Sequence, residues 1–372
     1  MFFSFSIIAR FLYLLKDYLF FVLPAILLSV IGIISLYYYP HMPNLDNYEK
    51  QIIFLFVALI FSFVISVLDY RAIISNSYLL LFIYGFFILS LIGLFFFSKT
   101  IRGIQGWYTI GPFSFDPSQF LQIIVLIIIA KYFSSKYEKA KNKIAYIIIS
   151  GLYAFLPFLL IMLQPNLGTA IIFVLIWLSF LFLAGAKKIY TFLILFALII
   201  SSFFAWNYVL QDYQKERVLS FISKEKDILG SAWNQYQSQV AIGSSSFFGK
   251  GLGHGTQTRL GFLPEAHTDF MFSAIVEELG LFGAILIFGL FVWLFYNVLK
   301  VALSLQDRFS YFFCFGYVIL ILIYIILNIG SNIGILPVIG VSLPFVSYGG
   351  SFLLSLFLGL GLIHSIKKHK NL

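Results

Sequence analysis

Residues 144–184 read IAYIIISGLYAFLPFLLIML-QPN-LGTAIIFVLIWLSFLFLA, two apolar runs without a single Asp, Glu, Lys or Arg, parted only by Gln164-Pro165-Asn166. A bilayer's hydrocarbon core is about 30 Å thick and takes about 20 apolar residues in a helix to cross. Each run is long enough, and three residues between them allow only a tight turn back into the membrane. Working outward, the same criterion gives ten spans, near 17–39, 51–68, 78–98, 118–134, 144–163, 167–184, 189–210, 270–298, 309–330 and 349–366. The chain is 61% hydrophobic and 10% charged, against about 25% charged residues in soluble domains. Too few charges remain to cover a water-facing surface, which excludes a soluble enzyme, a coiled coil, collagen and disorder. No run alternates with the period-2 pattern of a β-barrel. The expected fold is therefore an all-α polytopic membrane protein, one integral-membrane domain over residues 1–372. No small-residue cleavage site follows the first apolar stretch, so no cleavable signal peptide is expected. The single cysteine, Cys314, lies in an apolar run, leaving no disulfide framework and no cysteine metal cluster.

Orientation follows from the basic residues. With the N-terminus inside, inner segments hold 15 Lys and Arg, whereas the short outer loops hold only Lys50, Lys99 and Arg102. The remaining six lie in one outer loop, residues 211–269. Ten spans return the C-terminus to the cytoplasm. The basic inner face suits anionic headgroups, although topology alone accounts for that clustering. The outer loop concentrates the polar residues, and a long loop in an otherwise minimal chain carries function.

Three polar segments bear chemistry. Residues 243–255 (GSSSFFGKGLGHG) are rich in Gly and Ser around Lys250. Such backbone lets N–H groups approach an anion closely, and Lys250 between Gly249 and Gly251 favours anion binding over a plain linker. Residues 262–270 (FLPEAHTDF) run directly into the eighth span. Thr268 or Asp269 there is expected to cap the helix, or Asp269 to act as a general base at the membrane boundary with Glu265 and His267 beside it. Glu265-x-His267-x-Asp269 also has spacing for a divalent cation, a weak signal for three ligands on one segment. Two to three turns on, Glu277 and Glu278 are intramembrane carboxylates. Being about 100° apart on a helix, they are not expected to serve one cavity. Finally, residues 337–351 (PVIGVSLPFVSYGGS) hold two prolines and three glycines. They predict non-helical backbone at membrane depth, tolerated only when buried in protein or lining a wet cavity. Asn328, Ser331 and Asn332 precede it.

Taken together, these segments resemble the SEDS family of membrane peptidoglycan glycosyltransferases, named for shape, elongation, division and sporulation. The likeness covers essentially the whole chain. Four motifs appear in order: residues 164–170 (QPNLGTA), 241–251 (AIGSSSFFGKG), 263–270 (LPEAHTDF) and 343–351 (LPFVSYGGS). Residues 334–341 are more similar to the RodA than to the FtsW branch. The resemblance implies polymerisation of lipid II into glycan strands at the outer face of the bacterial cytoplasmic membrane, in cell shape and division. It implies a class B penicillin-binding protein as transpeptidase partner, with membrane lipids around the chain and no nucleic-acid partner. Asp269 is then the essential carboxylate. Inverting transfer needs a base for the acceptor hydroxyl and positive or N–H stabilisation of the leaving diphosphate. Lys250 and the glycine amides fit the latter, as does a divalent cation, magnesium or manganese. Trp107, Arg102, Gly249, Gly251, Glu265, His267, Ser347, Tyr348 and Gly349 complete the expected substrate-binding set.

The chain departs from the family pattern in places. Gly106 stands where the family usually has Arg before Trp107, with Arg102 the nearby substitute. Gln119 and Gln122 replace a Glu and a Lys three apart on one helical face, exchanging an ion pair for a neutral pair. Asn166 stands where Asp is common. Two other readings suit the same features: a flippase for the lipid-linked precursor, and a catalytically silent scaffold for a penicillin-binding protein.

Overall fold

A computed structural model describes residues 2–38, 47–100, 103–111, 113–222 and 233–369. Its elements run α1 (Phe2–Tyr37), α2 (Asn47–Val67), α3 (Tyr70–Ser75), α4 (Ser77–Phe97), β1 (Tyr108–Ile110), β2 (Phe113–Phe115), α5 (Pro117–Asn142), α6 (Ile144–Leu163) and α7 (Leu167–Leu183). Then follow α8 (Lys188–Tyr208), α9 (Asp212–Ile222), α10 (Trp233–Gly243), α11 (Thr256–Arg259), α12 (Met271–Leu303), α13 (Arg308–Asn332) and α14 (Gly350–Lys368). Nine described helices are long and apolar enough to cross a membrane, and α7, with 17 residues, answers to the remaining expected span. The molecule is a multi-pass membrane protein.

The Gln164-Pro165-Asn166 turn forms as expected. Asn166 caps α7 by accepting from the Thr169 N–H at 3.2 Å, and its own N–H closes on Ile161 O at 3.2 Å. Gln164 then fixes the turn by donating to Leu91 O of α4 at 2.8 Å. A two-stranded antiparallel hairpin, Tyr108 opposite Phe115 and Ile110 opposite Phe113, joins α4 to α5. Its Tyr108 hydroxyl donates to Ser90 O at 2.6 Å.

The centre of the bundle is α13 and α14. In the most apolar window of α14, 83% of residues are buried, against none for α8. Close approach between helices relies on small residues. A Cβ on Gly361 of α14 would lie 2.4 Å from Ser62 O of α2, and Ser62 Oγ donates across the same contact to Phe357 O at 2.6 Å. Between α13 and α14 the chain makes no helix over residues 333–349, as the prolines and glycines predict. This segment is buried against helix backbones: a Cβ on Gly168 of α7 would lie 2.2 Å from Ile339 O, and one on Gly32 of α1 2.0 Å from Val346 O.

Candidate active site

Asp269 owes its place to a tight turn. Glu265 adopts a left-handed conformation, φ +58°, and its carbonyl accepts the N–H groups of Thr268, Asp269 and Phe270 at 3.1–3.3 Å. Helix α12 then starts behind Phe270, with no side-chain cap. The N-cap position falls to Phe270 rather than to Thr268 or Asp269.

The turn is held from behind by two carboxamides at the end of α13. Asn328 and Asn332 Nδ2 both donate to the Asp269 carbonyl, at 2.8 and 2.9 Å. Asn328 also donates to Val341 O of the 333–349 segment at 2.7 Å. Asn332 Oδ1 accepts from Ser273 Oγ at 2.6 Å, and Ser238 of α10 lies 2.6 Å from that hydroxyl. Both asparagines are fully buried, and their Nδ2 donors fix the backbone at Asp269, while Asn328 Oδ1 keeps no hydrogen-bond partner among the described residues.

From the front, the 333–349 segment closes on the same turn. Ser347 Oγ donates to Thr268 O at 2.6 Å and accepts from Leu343 N at 2.9 Å. Tyr348 N donates to His267 O at 2.9 Å, and the His267 and Tyr348 rings lie 6.2 Å apart. Burial raises the Tyr348 phenol above its ordinary range, which keeps it a donor. Gln51 of α2 brackets this strip, donating to Ser347 O at 3.4 Å and accepting from Gly349 N at 3.2 Å. At the bend, a Cβ on Gly340 would lie 3.6 Å from Asp269 Oδ2.

Beside that bend runs a shallow groove of about 30 Å³ bordered by Ile104, Pro165, Arg217 and residues 337–339. Arg217 of α9 is its one charged lining residue, and Gln214, a turn earlier, is tied to Pro165 O at 3.3 Å. Gly106 borders the same wall, since a Cβ there would lie 3.4 Å from the Ile104 side chain. Trp107 is half-buried at the start of the hairpin. Arg102 lies outside the described residues.

The glycine-rich loop sits further along α12. Asp269 and Glu278 are nine residues apart, about 13 Å at helical rise. Helix α12 is interrupted at Gly280 (φ +69°, ψ −160°), and the loop satisfies the backbone groups this frees. Lys250 N donates to Glu277 O at 3.0 Å and Gly251 N to Glu278 O at 2.9 Å. In return Phe282 N donates to Phe247 O at 3.0 Å. A Cβ on Gly249 would lie 2.3 Å from Glu278 O, so only glycine fits.

Side chains complete the seam. Glu277 accepts from Lys250 Nζ at 2.8 Å, from Gln257 N at 2.9 Å and from Thr258 N at 3.1 Å. Lys250 donates further to Ser244 Oγ and Thr256 Oγ1, both at 2.8 Å, which uses all three ammonium protons. Glu278 accepts from Gly253 N at 3.1 Å. The two adjacent carboxylates thus meet the same glycine-rich loop at different points, Glu277 at Lys250 and Glu278 at Gly253.

Gln119 and Gln122 form a neutral unit. Tyr324 Oη of α13 lies 3.1 Å from Gln119 Oε1 and 2.7 Å from Gln122 Oε1, and Gln119 Nε2 donates to Asp116 Oδ2 at 3.0 Å. Burial raises the Asp116 carboxyl, against the hydrogen bonds of Ser118 and Gln119. Among the described residues no three His, Cys, Asp or Glu gather as a metal site. Glu265, His267 and Asp269 do not form a ligand set.

The structure thus brings Glu265, His267, Asp269, Ser347, Tyr348 and Gly349 together, and sets Gly249, Lys250 and Gly251 apart on the broken helix. Gln51, Ser238, Ser273 and Arg217 were not singled out by sequence. Asn328 and Asn332 were, as polar groups without a role, and their i, i+4 spacing in an apolar helix was the available signal.

Spans around a buried polar network that holds one carboxylate at a bundle end define a multi-pass membrane protein with a membrane-boundary site. The family model for FtsW, RodA and SpoVE, described as "Cell cycle protein", matches residues 16–372, and the chain belongs to this family. It is 38% identical to the peptidoglycan glycosyltransferase MrdB of Escherichia coli (strain K12) over 281 residues, 74% of each chain. One chain of a peptidoglycan synthase complex that coordinates polymerization and crosslinking superposes with a TM-score of 0.79 at 25% identity, covering 94% of this chain and 97% of that one. The rod shape determining protein RodA of Thermus thermophilus shares the fold, with a TM-score of 0.68 at 22% identity over 95% of this chain and 97% of its own.

Proposed function

We propose that this protein is a peptidoglycan glycosyltransferase that polymerises lipid II at the outer face of the cytoplasmic membrane, with Asp269 as general base. The observation that carries the reading is the hold on Asp269: a backbone clamped by Asn328 and Asn332, beside a groove lined by Arg217. The acceptor sugar's 4-hydroxyl attacks the donor anomeric carbon in line, and its proton passes to Asp269. The new β-1,4 bond forms as the bond to the diphosphate breaks, with inversion. The developing charge on the diphosphate calls for a cation. Lys250 already gives its three protons to Ser244, Thr256 and Glu277, so in this reading it positions the loop, and Arg217 meets the diphosphate.

A lipid-linked donor keeps its polyprenol in the bilayer while its headgroup reaches Asp269, so the site must open sideways. Both termini are cytoplasmic in this reading, and the transpeptidase partner is a class B penicillin-binding protein. The test is polymerisation of lipid II by the purified protein with that partner. Asp269→Asn keeps size and fold but removes the proton acceptor, and general-base contributions of about 10²–10⁴-fold predict no visible polymer. Near-full activity of folded, partner-bound Asp269→Asn would remove the assignment and favour a flippase.

A further inference from the structure

At the end of the bundle away from Asp269, α4, α5 and α6 border a second cavity of about 160 Å³, smaller than the usual small-molecule site. Leu81 and Ile128 give it an aliphatic wall, and Ser77, Lys131, Tyr132 and Ser135 a polar one. Leu81 is 47% exposed on a helix surface that faces lipid, so the cavity opens sideways rather than to water.

Two features of the polar wall call for a ligand. The Lys131 ammonium donates to Ser77 Oγ at 2.8 Å, to the Ile74 carbonyl at the end of α3 and, at 3.5 Å, to Ser75 O, so a ligand there would have to displace the longest of these and, unlike at Lys250, would meet a charge with no carboxylate beside it. These partners are neutral, and among the described residues no carboxylate lies within ion-pair distance of it. Next to it, the Tyr132 hydroxyl is buried with no hydrogen-bond partner among the described residues. Buried hydroxyls in native proteins are paired, and an orphan marks an absent water, ion or ligand. An uncompensated cation and a spare O–H donor side by side, with an aliphatic wall open to lipid, match an amphiphile with an anionic head.

We propose that this cavity binds one acidic glycerophospholipid, its phosphate against Lys131 and Tyr132 and an acyl chain along Leu81 and Ile128. Under the orientation above the lipid comes from the inner leaflet, but the binding chemistry does not depend on the glycosyltransferase reading. The site lies across the bundle from Asp269, and occupancy fixes the α4–α5–α6 corner.

Native mass spectrometry of the full-length protein, delipidated and titrated with phosphatidylglycerol or phosphatidylcholine of equal chain length, tests this. One phosphatidylglycerol is retained with about tenfold preference and raises the melting temperature, whereas inorganic phosphate and glycerol phosphate do neither. Tyr132→Phe, which removes one oxygen from a retained ring, lowers phosphatidylglycerol retention about tenfold, the worth of one hydrogen bond to a charged group. Leu81→Trp, which fills the wall, lowers retention of both lipids. Equal retention of the two lipids by the unaltered protein, stabilisation by inorganic phosphate alone, or unchanged retention by folded Tyr132→Phe would each overturn the proposal.

Discussion

Asn332 spends its whole carboxamide on the site, donating to the Asp269 and Asn328 carbonyls and accepting from Ser273. Asn332→Ala removes one hydrogen bond from each of these buried groups, which keep Asn328, Ser331 and Ser238 as partners, a loss of about 0.5–1.5 kcal/mol per bond. It should lower both the melting temperature and, at least tenfold, polymerisation per folded molecule. If the rate per folded molecule is unchanged, the asparagine holds the fold and not the base. Lys250 gives a second prediction at this scale. Lys250→Met strands the Glu277 carboxylate, and adding Glu277→Gln removes the stranded charge. The double variant should therefore melt higher and polymerise better than Lys250→Met alone. A double variant no better than the single would mean that Lys250 acts on substrate. The position of Asp269 at the head of α12 was legible in sequence because the polar segment around it runs straight into an apolar stretch. The partner of Lys250 was not, because Glu277 is 27 residues away and helical periodicity carries no information about a loop wrapped around a broken helix.

Among the elements, α12 departs most from its sequence reading. Residues 270–298 scan as one apolar run, and an isolated glycine inside such a run costs a helix only about 1 kcal/mol, so Gly280 gave no sign of a break. The structure breaks the helix there, and its 33 residues are accounted for. At 1.5 Å per residue the part after Gly280 spans about 35 Å, enough to cross alone. The part before it, carrying Glu277 and Glu278, is buried against the loop. This relieves the cost of placing Glu277 at hydrocarbon depth, whereas Glu278 is paired through one oxygen only. A Cβ at Gly280 would lie 2.3 Å from Gly249 N and Ser246 O, at a φ that side chains avoid. Gly280→Ala should therefore unseat the 246–251 loop, seen as a lowered melting temperature and faster proteolysis within residues 244–258. Gly289→Ala, where a Cβ meets nothing, should be neutral. The small β1–β2 hairpin escaped the reading for a simpler reason: strands of three residues are too short to show alternation. The non-helical 333–349 segment was legible because two prolines leave helix no room.

For the whole molecule, the spans were legible and their packing was not. Lipid tails are as apolar as Leu and Ile, so a lipid-facing side and a protein-facing side read alike; α14 and α8 are both apolar helices, yet one is the core and the other has no buried residue. Orientation is a different matter, because it is written in charge. Helices that alternate in direction put the 98–116, 209–270 and 333–349 connections, and hence Asp269, at one end, and 15 of the 24 basic residues belong to the other end or to the short segments beside it. The positive-inside rule puts the basic excess on the cytoplasmic side, and the proposed function then has Asp269 face outward. Single-cysteine labelling checks this without background, since the native Cys314 is fully buried. Phe248→Cys, at a position 72% exposed beside the α12 break, should react with a membrane-impermeant maleimide on intact cells. Leu303→Cys, 73% exposed at the far end of the same helix, should react only after permeabilisation. The reverse pattern would put Asp269 on the cytoplasmic face, away from any growing strand, and neither the polymerase reading nor the roles given to Arg217 and the asparagines would survive it.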